Sequence, residues 1–231
     1  MARKDRVPNP PKRPQAPKRR STPSAPRVGG GSDRRLLYLL AGAAVLVIAA
    51  ILGYVLLAGG DEDEAAALAE RGCTLTTYPG QPGTHVDSLT AEPDPKWNSE
   101  PPTSGPHFGQ PAIWGSYDEP VPLIQSVHNL EHGGVVVHYG EDVPQEQRAA
   151  IDEWYRNDPN GILVSPLEDL GSEIVLTAWT APARVGGASN DGTGFMARCK
   201  AFDRGAFDLF KRNHRGEGPE RFPVDALTPG S

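Results

Sequence analysis

Charged and apolar residues are strongly segregated along the chain. Residues 36–58 form an uncharged run of 23 residues, LLYLLAGAAVLVIAAILGYVLLA. As a helix this run would rise about 34 Å, enough to cross a hydrocarbon core about 30 Å thick. In lipid, only a helix satisfies every backbone group of a lone segment. The pattern predicts one N-terminal transmembrane helix over residues 36–58, which is too long for the apolar part of a cleaved signal peptide.

Regular apolar patterns indicate secondary structure in the second half of the chain. Residues 134–139, 162–165 and 173–180 are rich in β-branched and apolar side chains, which predicts three strands. Residues 142–157 carry an apolar stripe at helical spacing, and another helix is expected to begin near Asp203. This order of elements predicts the α+β class, with a small mixed or antiparallel sheet backed by helices.

Proline and glycine dominate the segment that precedes these elements. Residues 73–122 contain strings such as EPDPKWNSEPPTSGPH, which are typical of turns and extended, polyproline-like pieces. Aromatic residues are interleaved with them. We therefore expect an irregular segment that packs onto the core and is not a linker.

Charge differs in sign on the two sides of the apolar run. Residues 1–35 contain eleven Lys or Arg and two Asp, a net charge of +9, although the whole chain carries -6. The positive-inside rule then places residues 1–35 in the cytoplasm and residues 59–231 on the extracytoplasmic side. The chain is expected to be a single-pass protein of the cell membrane.

The basic N-terminal tail is expected to be disordered, because residues 1–33 hold seven prolines and no aromatic residue. Two interpretations of its charge stay open: contact with anionic lipid headgroups, or a solvated topology signal. The tail lacks aromatic stacking partners, so nucleic-acid binding has no support.

Composition divides the chain into five parts. They are a cytoplasmic tail (1–35), a transmembrane helix (36–58), an acidic stalk (59–72), an extracytoplasmic α+β domain (73–223) and a flexible C-terminus (224–231).

Cys73 and Cys199 are the only two cysteines, and both lie on the predicted extracytoplasmic side. Thiols oxidise in that environment, so a disulfide between them is expected. In the chain-entropy model such a long loop contributes roughly 4–5 kcal/mol. The alternative is that one cysteine is a metal thiolate. The chain has no Cys-x-x-Cys pair, which excludes zinc ribbons and iron–sulfur sites.

The string HNLEH places His128 and His132 four residues apart, with Glu131 between them. On a helix these side chains would share one face, a frequent geometry of metal ligands. The Gly133-Gly134 pair and the strand after it predict that the motif occupies a single turn at the mouth of a strand. The string also fits the H-x-x-E-H pattern of inverted zinc proteases. That motif requires the middle of a long helix, so a protease is rejected, and an enzyme with Glu131 as base is the weakest hypothesis.

His107 and Met196 complete the predicted ligand set. Prolines of the PPTSGP segment fix the backbone that carries His107. Met196 lies beside a glycine-rich loop, and imidazole plus thioether suits copper, particularly Cu(I), ahead of zinc. Each residue also has a structural interpretation, since Met fills gaps in cores and a buried His often bonds a backbone carbonyl. The predicted metal ligands are His107, His128, His132 and Met196.

The remaining histidines are assigned less specifically. Strand alternation places His138 on the other face of the strand from Val135 and Val137. It is either a further imidazole ligand or a core residue. His85 and His214 lie in polar segments and are expected to be solvated. The sequence contains no G-x-S-x-G elbow, Walker loop or dinucleotide fingerprint.

Three segments resemble the hallmark of the DUF3105-type family: WNSEPPTSGPH (97–107), WGSYDEPVP (114–122) and VHNLEHGGVVVHY (127–139). Members are typically bacterial single-span proteins with one extracytoplasmic domain. The resemblance covers about residues 73–215 and implies architecture and location without implying an activity. The family's hallmark residues correspond to His107, His128, Glu131 and His132.

These patterns predict a membrane-anchored extracytoplasmic domain that binds a transition metal, copper before zinc, without catalysis. The alternative is an adaptor for a membrane-associated partner, in which the histidines are structural and the proline-rich segment is the contact surface. Convergence of the imidazoles of His107, His128 and His132 would favour metal binding.

Overall fold

A computed structural model of the chain describes residues 38–40, 43, 63–181 and 191–231. Most of the predicted transmembrane run therefore lies outside the described residues, and residues 38–40 and 43 are helical. In the part of the chain that is described, no helix is both long and apolar enough for a membrane span. The span, the basic tail and the sidedness stay predictions.

A five-stranded mixed sheet is the centre of the unit that spans residues 51–231. Its strand order is β1-β7-β6-β4-β5, in which β4 and β5 are parallel and the other neighbours antiparallel. A separate parallel pair is formed by β2 and β3. The strands are β1 (Cys73–Pro79), β2 (His85–Val86), β3 (His107–Phe108), β4 (Val135–Tyr139), β5 (Ile162–Pro166), β6 (Ile174–Thr180) and β7 (Thr193–Cys199).

Helices cover both faces of this sheet. They are α1 (residues 63–69), α2 (Leu123–Glu131), α3 (Gln145–Asn157) and α4 (Arg204–His214), with a 3-10 turn at Val224–Ala226. The side chain of Asp203 caps α4 by accepting a hydrogen bond from the amide of Ala206 at 2.8 Å. Helix α3 connects the parallel strands β4 and β5, as a crossover between parallel strands requires.

Alternation along β4 separates two apolar clusters. On one face, Val135 and Val137 join Trp154 of α3 and Phe207 of α4. On the other face, Val136 packs with apolar side chains of α2, β5 and β6, namely Val127, Leu130, Leu163 and Trp179. The first is called the α4 face below, and the second the α2 face.

The α+β class and the mixed sheet are confirmed, and so are the predicted strands β4, β5 and β6 and the helices α3 and α4. Strand β1 lies where irregular chain was expected, and β7 is a strand that the sequence patterns do not predict. The single turn predicted at HNLEH was wrong, because nine residues, Leu123–Glu131, form α2. Gly133 does end that helix, since it adopts a φ of 91° that favours glycine.

The predicted disulfide joins Cys73 to Cys199, 126 residues apart, and pairs the start of β1 with the end of β7. Residues on both sides of the predicted 73–223 range also pack onto this domain. Leu68 is fully buried on the α4 face, and Leu227 is buried on the α2 face. Glu64, in the predicted stalk, contacts His214 at 3.1 Å.

Candidate metal centre

Two short pieces of backbone bring distant histidines to the end of α2. The parallel pair β2–β3 sets His85 directly beside His107. Its amides hold the register: His107 donates to the carbonyl of Thr84 at 3.0 Å, and Gly109 donates to that of Val86 at 3.3 Å. This pair packs against α2, which carries the next ligand candidates.

Four side chains converge there, and their candidate ligand atoms all lie within 4.8 Å of one another: His85, His107, His128 and Glu131. We call these four residues the inner cluster. Oε2 of Glu131 lies 3.0 Å from Nε2 of His107 and 3.7 Å from Nε2 of His85. The ring centroids of His107 and His128 are 4.7 Å apart. The imidazoles therefore surround one carboxylate.

Backbone carbonyls fix the orientation of the two buried imidazoles. Nδ1 of His107 lies 2.8 Å from the carbonyl oxygen of Gly105, and Nδ1 of His128 lies 2.8 Å from that of Phe108. A carbonyl oxygen can only accept, so each Nδ1 carries the proton and donates it. When neutral, both rings then have an Nε2 lone pair that is available as a metal ligand. Carbonyl bonds of this kind typically orient histidines that bind metals.

Two buried atoms of the inner cluster lack hydrogen-bond partners among the described residues. They are Nε2 of His107 and Oε2 of Glu131, which face each other at 3.0 Å. A neutral Nε2 with a lone pair and an ionised carboxylate oxygen are both acceptors, so they cannot satisfy each other. Either a proton on Nε2 of His107 or a metal ion bound by both atoms would satisfy them. Tetrahedral zinc places its ligand atoms about 3.3 Å apart. Oε2 of Glu131 lies 3.0 Å from Nε2 of His107 and 3.7 Å from Nε2 of His85, on either side of that value.

Burial and charge act in opposite directions on Glu131. Burial alone would raise its pKa, but its contact with His107 and the charges of His107, His128 and His85 hold the pKa below the ordinary value. Burial lowers the pKa of His128, against the opposing effect of its bond to Phe108. The carboxylate is thus kept ionised and the imidazole neutral, the protonation states that metal binding requires.

A second group of three residues shares His128 with the inner cluster. Nε2 of His132 lies 3.1 Å from Nε2 of His128 and 3.0 Å from Oε2 of Glu220. The candidate ligand atoms of these three residues also lie within 4.8 Å of one another. We call His132 and Glu220 the outer pair. Burial lowers the pKa of His132, so this imidazole is also biased toward its neutral form.

The C-terminal segment positions the outer pair by pairing with the end of α2. The amide of Gly216 donates to the carbonyl of Gly133 at 2.8 Å, and the amide of Glu220 donates to that of Glu131 at 3.1 Å. These bonds satisfy carbonyls that a helix end leaves free. The ring of Phe222 lies 4.3 Å from that of His132 and covers one side of it.

A close backbone approach shields the inner carboxylate. Gly83 runs against Glu131 so tightly that a Cβ there would lie 2.2 Å from Oε1 of Glu131. The same Cβ would lie 3.2 Å from the ring of Trp179. Any side chain at position 83 would therefore displace the carboxylate or the indole.

The structure brings together three of the predicted site residues, His107, His128 and Glu131, and places His132 next to them. His138 is buried in β4 and belongs to neither group of candidate ligands among the described residues. Met196 is buried in the middle of β7, opposite Thr177 of β6. Its part in a ligand set stays a prediction.

Two histidines expected to be solvated have specific partners. His85 joins the inner cluster, although about half of its side chain is exposed. No local pattern marks it, because its pairing with His107 spans 22 positions of irregular sequence. His214 is buried and pairs with Glu64 on the α4 face.

Comparison with protein families gives one match. The family described as "Protein of unknown function (DUF3105)" matches residues 89–221, more than half of the chain and most of the folded domain. No curated protein and no solved structure matches the chain. The matched range contains three members of the inner cluster and both members of the outer pair, while His85 precedes it. This chain belongs to the DUF3105 family.

Proposed function

We propose that this domain binds one transition-metal ion, without catalysing a reaction, through His85, His107, His128 and Glu131. One observation carries the proposal. Nε2 of His107, whose ring is fixed by the bond of its Nδ1 to Gly105, faces Oε2 of Glu131 at 3.0 Å, and neither atom has a hydrogen-bond partner among the described residues. An arrangement of acceptors around a common point is costly without a cation and favourable with one.

The donor set favours copper before zinc. Three imidazole nitrogens and one carboxylate oxygen suit both Cu²⁺ and Zn²⁺, and the Irving–Williams order ranks Cu²⁺ first. Four protein ligands also complete the coordination of a tetrahedral ion, as in structural or storage sites, whereas catalytic sites keep an open position. Met196 would add a thioether only for Cu(I), and that role stays a prediction.

We further propose that the domain lies outside the cytoplasm, anchored by residues 36–58. The uncharged run and the basic residues before it support this placement. The Cys73–Cys199 disulfide supports it independently, because disulfides persist in oxidising compartments. A metal-binding domain in that position would meet ions before they reach the cytoplasm.

Metal binding is tested on the full chain in detergent, by equilibrium dialysis against Cu²⁺ or Zn²⁺ and metal analysis. We expect one equivalent to bind. Loss of an outer-shell partner typically costs 10–100-fold in metal affinity, so Glu131→Gln, which removes a direct ligand, should cost at least about 100-fold. The matched control is Glu64→Gln, which alters the other buried Glu–His pair and should leave the affinity unchanged.

Two outcomes would contradict the proposal. One is less than one equivalent bound by the wild-type chain, and the other is equal binding by Glu131→Gln and wild type. Either result would favour the alternative function, an adaptor for a membrane-associated partner in which the histidines are structural.

A further inference from the structure

We propose that His132 and Glu220 form, with His128, a second metal position that excludes occupation of the first. The inference rests on the proposed function of the inner cluster. The outer position offers two imidazoles and one carboxylate, with Nε2 of His132 3.1 Å from His128 and 3.0 Å from Glu220. An ion held there has three protein ligands and an open coordination position.

Exclusion follows from the chemistry of the shared imidazole. Nδ1 of His128 donates its proton to the carbonyl of Phe108, which leaves only Nε2 as a ligand atom. A neutral imidazole has one lone pair at Nε2, so it coordinates one ion at a time. The ring centroid of His128 is nearly as far from that of His107, at 4.7 Å, as from that of His132, at 4.6 Å. Small adjustments of one ring would thus direct its lone pair toward either position.

The two positions differ in strength and in access. The inner position has four ligands, and His107 is fully buried there. The outer position has three, and 44% of the Glu220 side chain is exposed to solvent. The outer position is therefore the weaker and more accessible one. An ion bound first by the outer pair passes to the inner cluster when His128 exchanges ligands, and it leaves by the reverse path.

Four full-length variants test this assignment with Zn²⁺ as the probe: Glu131→Gln, Glu220→Gln, Glu131→Gln with Glu220→Gln, and Glu131→Gln with Glu217→Gln. Glu217 is exposed and lies three residues from Glu220, so its substitution removes the same charge from the same segment. Dialysis gives the affinity and the stoichiometry. Stopped-flow transfer of bound Zn²⁺ to a chromogenic chelator gives the release rate.

We expect Glu131→Gln to retain a weak site that is lost, by at least about tenfold in affinity, when Glu220→Gln is added. Adding Glu217→Gln should leave that weak site unchanged. In the wild-type background, Glu220→Gln should slow the transfer to the chelator. The wild-type chain should bind one ion, not two.

Several results would overturn the second position while leaving the proposed function intact. One is two ions bound together by the wild-type chain. Another is a weak site in Glu131→Gln whose Zn²⁺ affinity does not change when Glu220→Gln is added. The third is the absence of any weak site in Glu131→Gln. Equal effects of the Glu220 and Glu217 substitutions would also overturn it, because the effect would then be general electrostatics. Absence of any binding by the wild-type chain would overturn both proposals.

Discussion

The two faces of the sheet each bury a histidine–glutamate pair, and the two pairs differ in how they are satisfied. On the α4 face, His214 and Glu64 are hydrogen-bonded at 3.1 Å. On the α2 face, His107 and Glu131 approach to 3.0 Å, yet the facing atoms have no hydrogen-bond partner among the described residues.

The surroundings of the two pairs explain this difference. The ring of His214 packs against those of Phe195 and Phe210, with centroids 4.2 and 4.5 Å away, so this pair has apolar neighbours. The pair of His107 and Glu131 has two further imidazoles beside it, those of His85 and His128, whose ring centroids are 5.1 Å apart. The same two residue types thus make a closed structural contact on one face and an open ligand cluster on the other.

The largest expected effect comes from removing the disulfide, which belongs to the α4 face. Replacing Cys73 and Cys199 together by Ala should lower the free energy of unfolding by about 4 kcal/mol, because the unlinked chain regains loop entropy when it unfolds. Urea denaturation measures this change. Metal affinity should stay the same, and a parallel loss of affinity would show that the two faces are not independent.

The next effect concerns pH and the buried histidine that stays outside the cluster. Burial lowers the pKa of His138 from 6.5 to about 4. Between those values the unfolded chain takes up a proton that the folded chain does not. Stability therefore falls as the pH drops from 6.5 to 4, by about 3 kcal/mol from this group, and is constant with respect to it above 6.5.

Urea denaturation of metal-free protein across this pH range tests the assignment. His138→Leu should reduce the difference in the free energy of unfolding between pH 6.5 and pH 4 by about 3 kcal/mol. An unchanged slope would mean that His138 reaches solvent or a charged partner, which would contradict its place in the core.

The smallest effect compares the two pairs directly in metal-free protein. Glu64→Gln should lower the free energy of unfolding by about 1–2 kcal/mol, because it weakens a buried, charge-assisted hydrogen bond. Glu131→Gln should lower it by less, since Oε2 of Glu131 makes no hydrogen bond of good geometry among the described residues. Equal losses in thermal or urea unfolding would mean that both pairs are structural.

Local patterns predicted much of the α2 face but not all of it. The spacing of His128, Glu131 and His132 and the rigid segment before His107 are visible in the sequence, and the structure brings these residues close together. His85 could not be found this way, since its position depends on the two-residue pairing of β2 with β3. Glu220 could not be found this way either, because hydrogen bonds of the C-terminal segment to the end of α2 bring it close to His132.

The errors in secondary structure have a similar cause. The Gly133-Gly134 pair predicts a single turn, whereas the residues before it form the nine-residue helix α2. The length of this helix comes from burial of Val127 and Leu130 against the sheet, which sequence alone does not reveal. Strand β1 was missed because its outward positions are mostly threonines in a proline-rich context, and β7 pairs with it from 120 residues away.

The segment from His214 to Glu220 works as a fixed-length spacer between the two faces. At its start His214 completes the closed pair, and six residues later Glu220 reaches His132. One inserted residue would shift the chain by roughly 3.3–3.6 Å. This shift is larger than the 3.0 Å between Nε2 of His132 and Oε2 of Glu220. This stretch should therefore tolerate changes of side chain far better than changes of length.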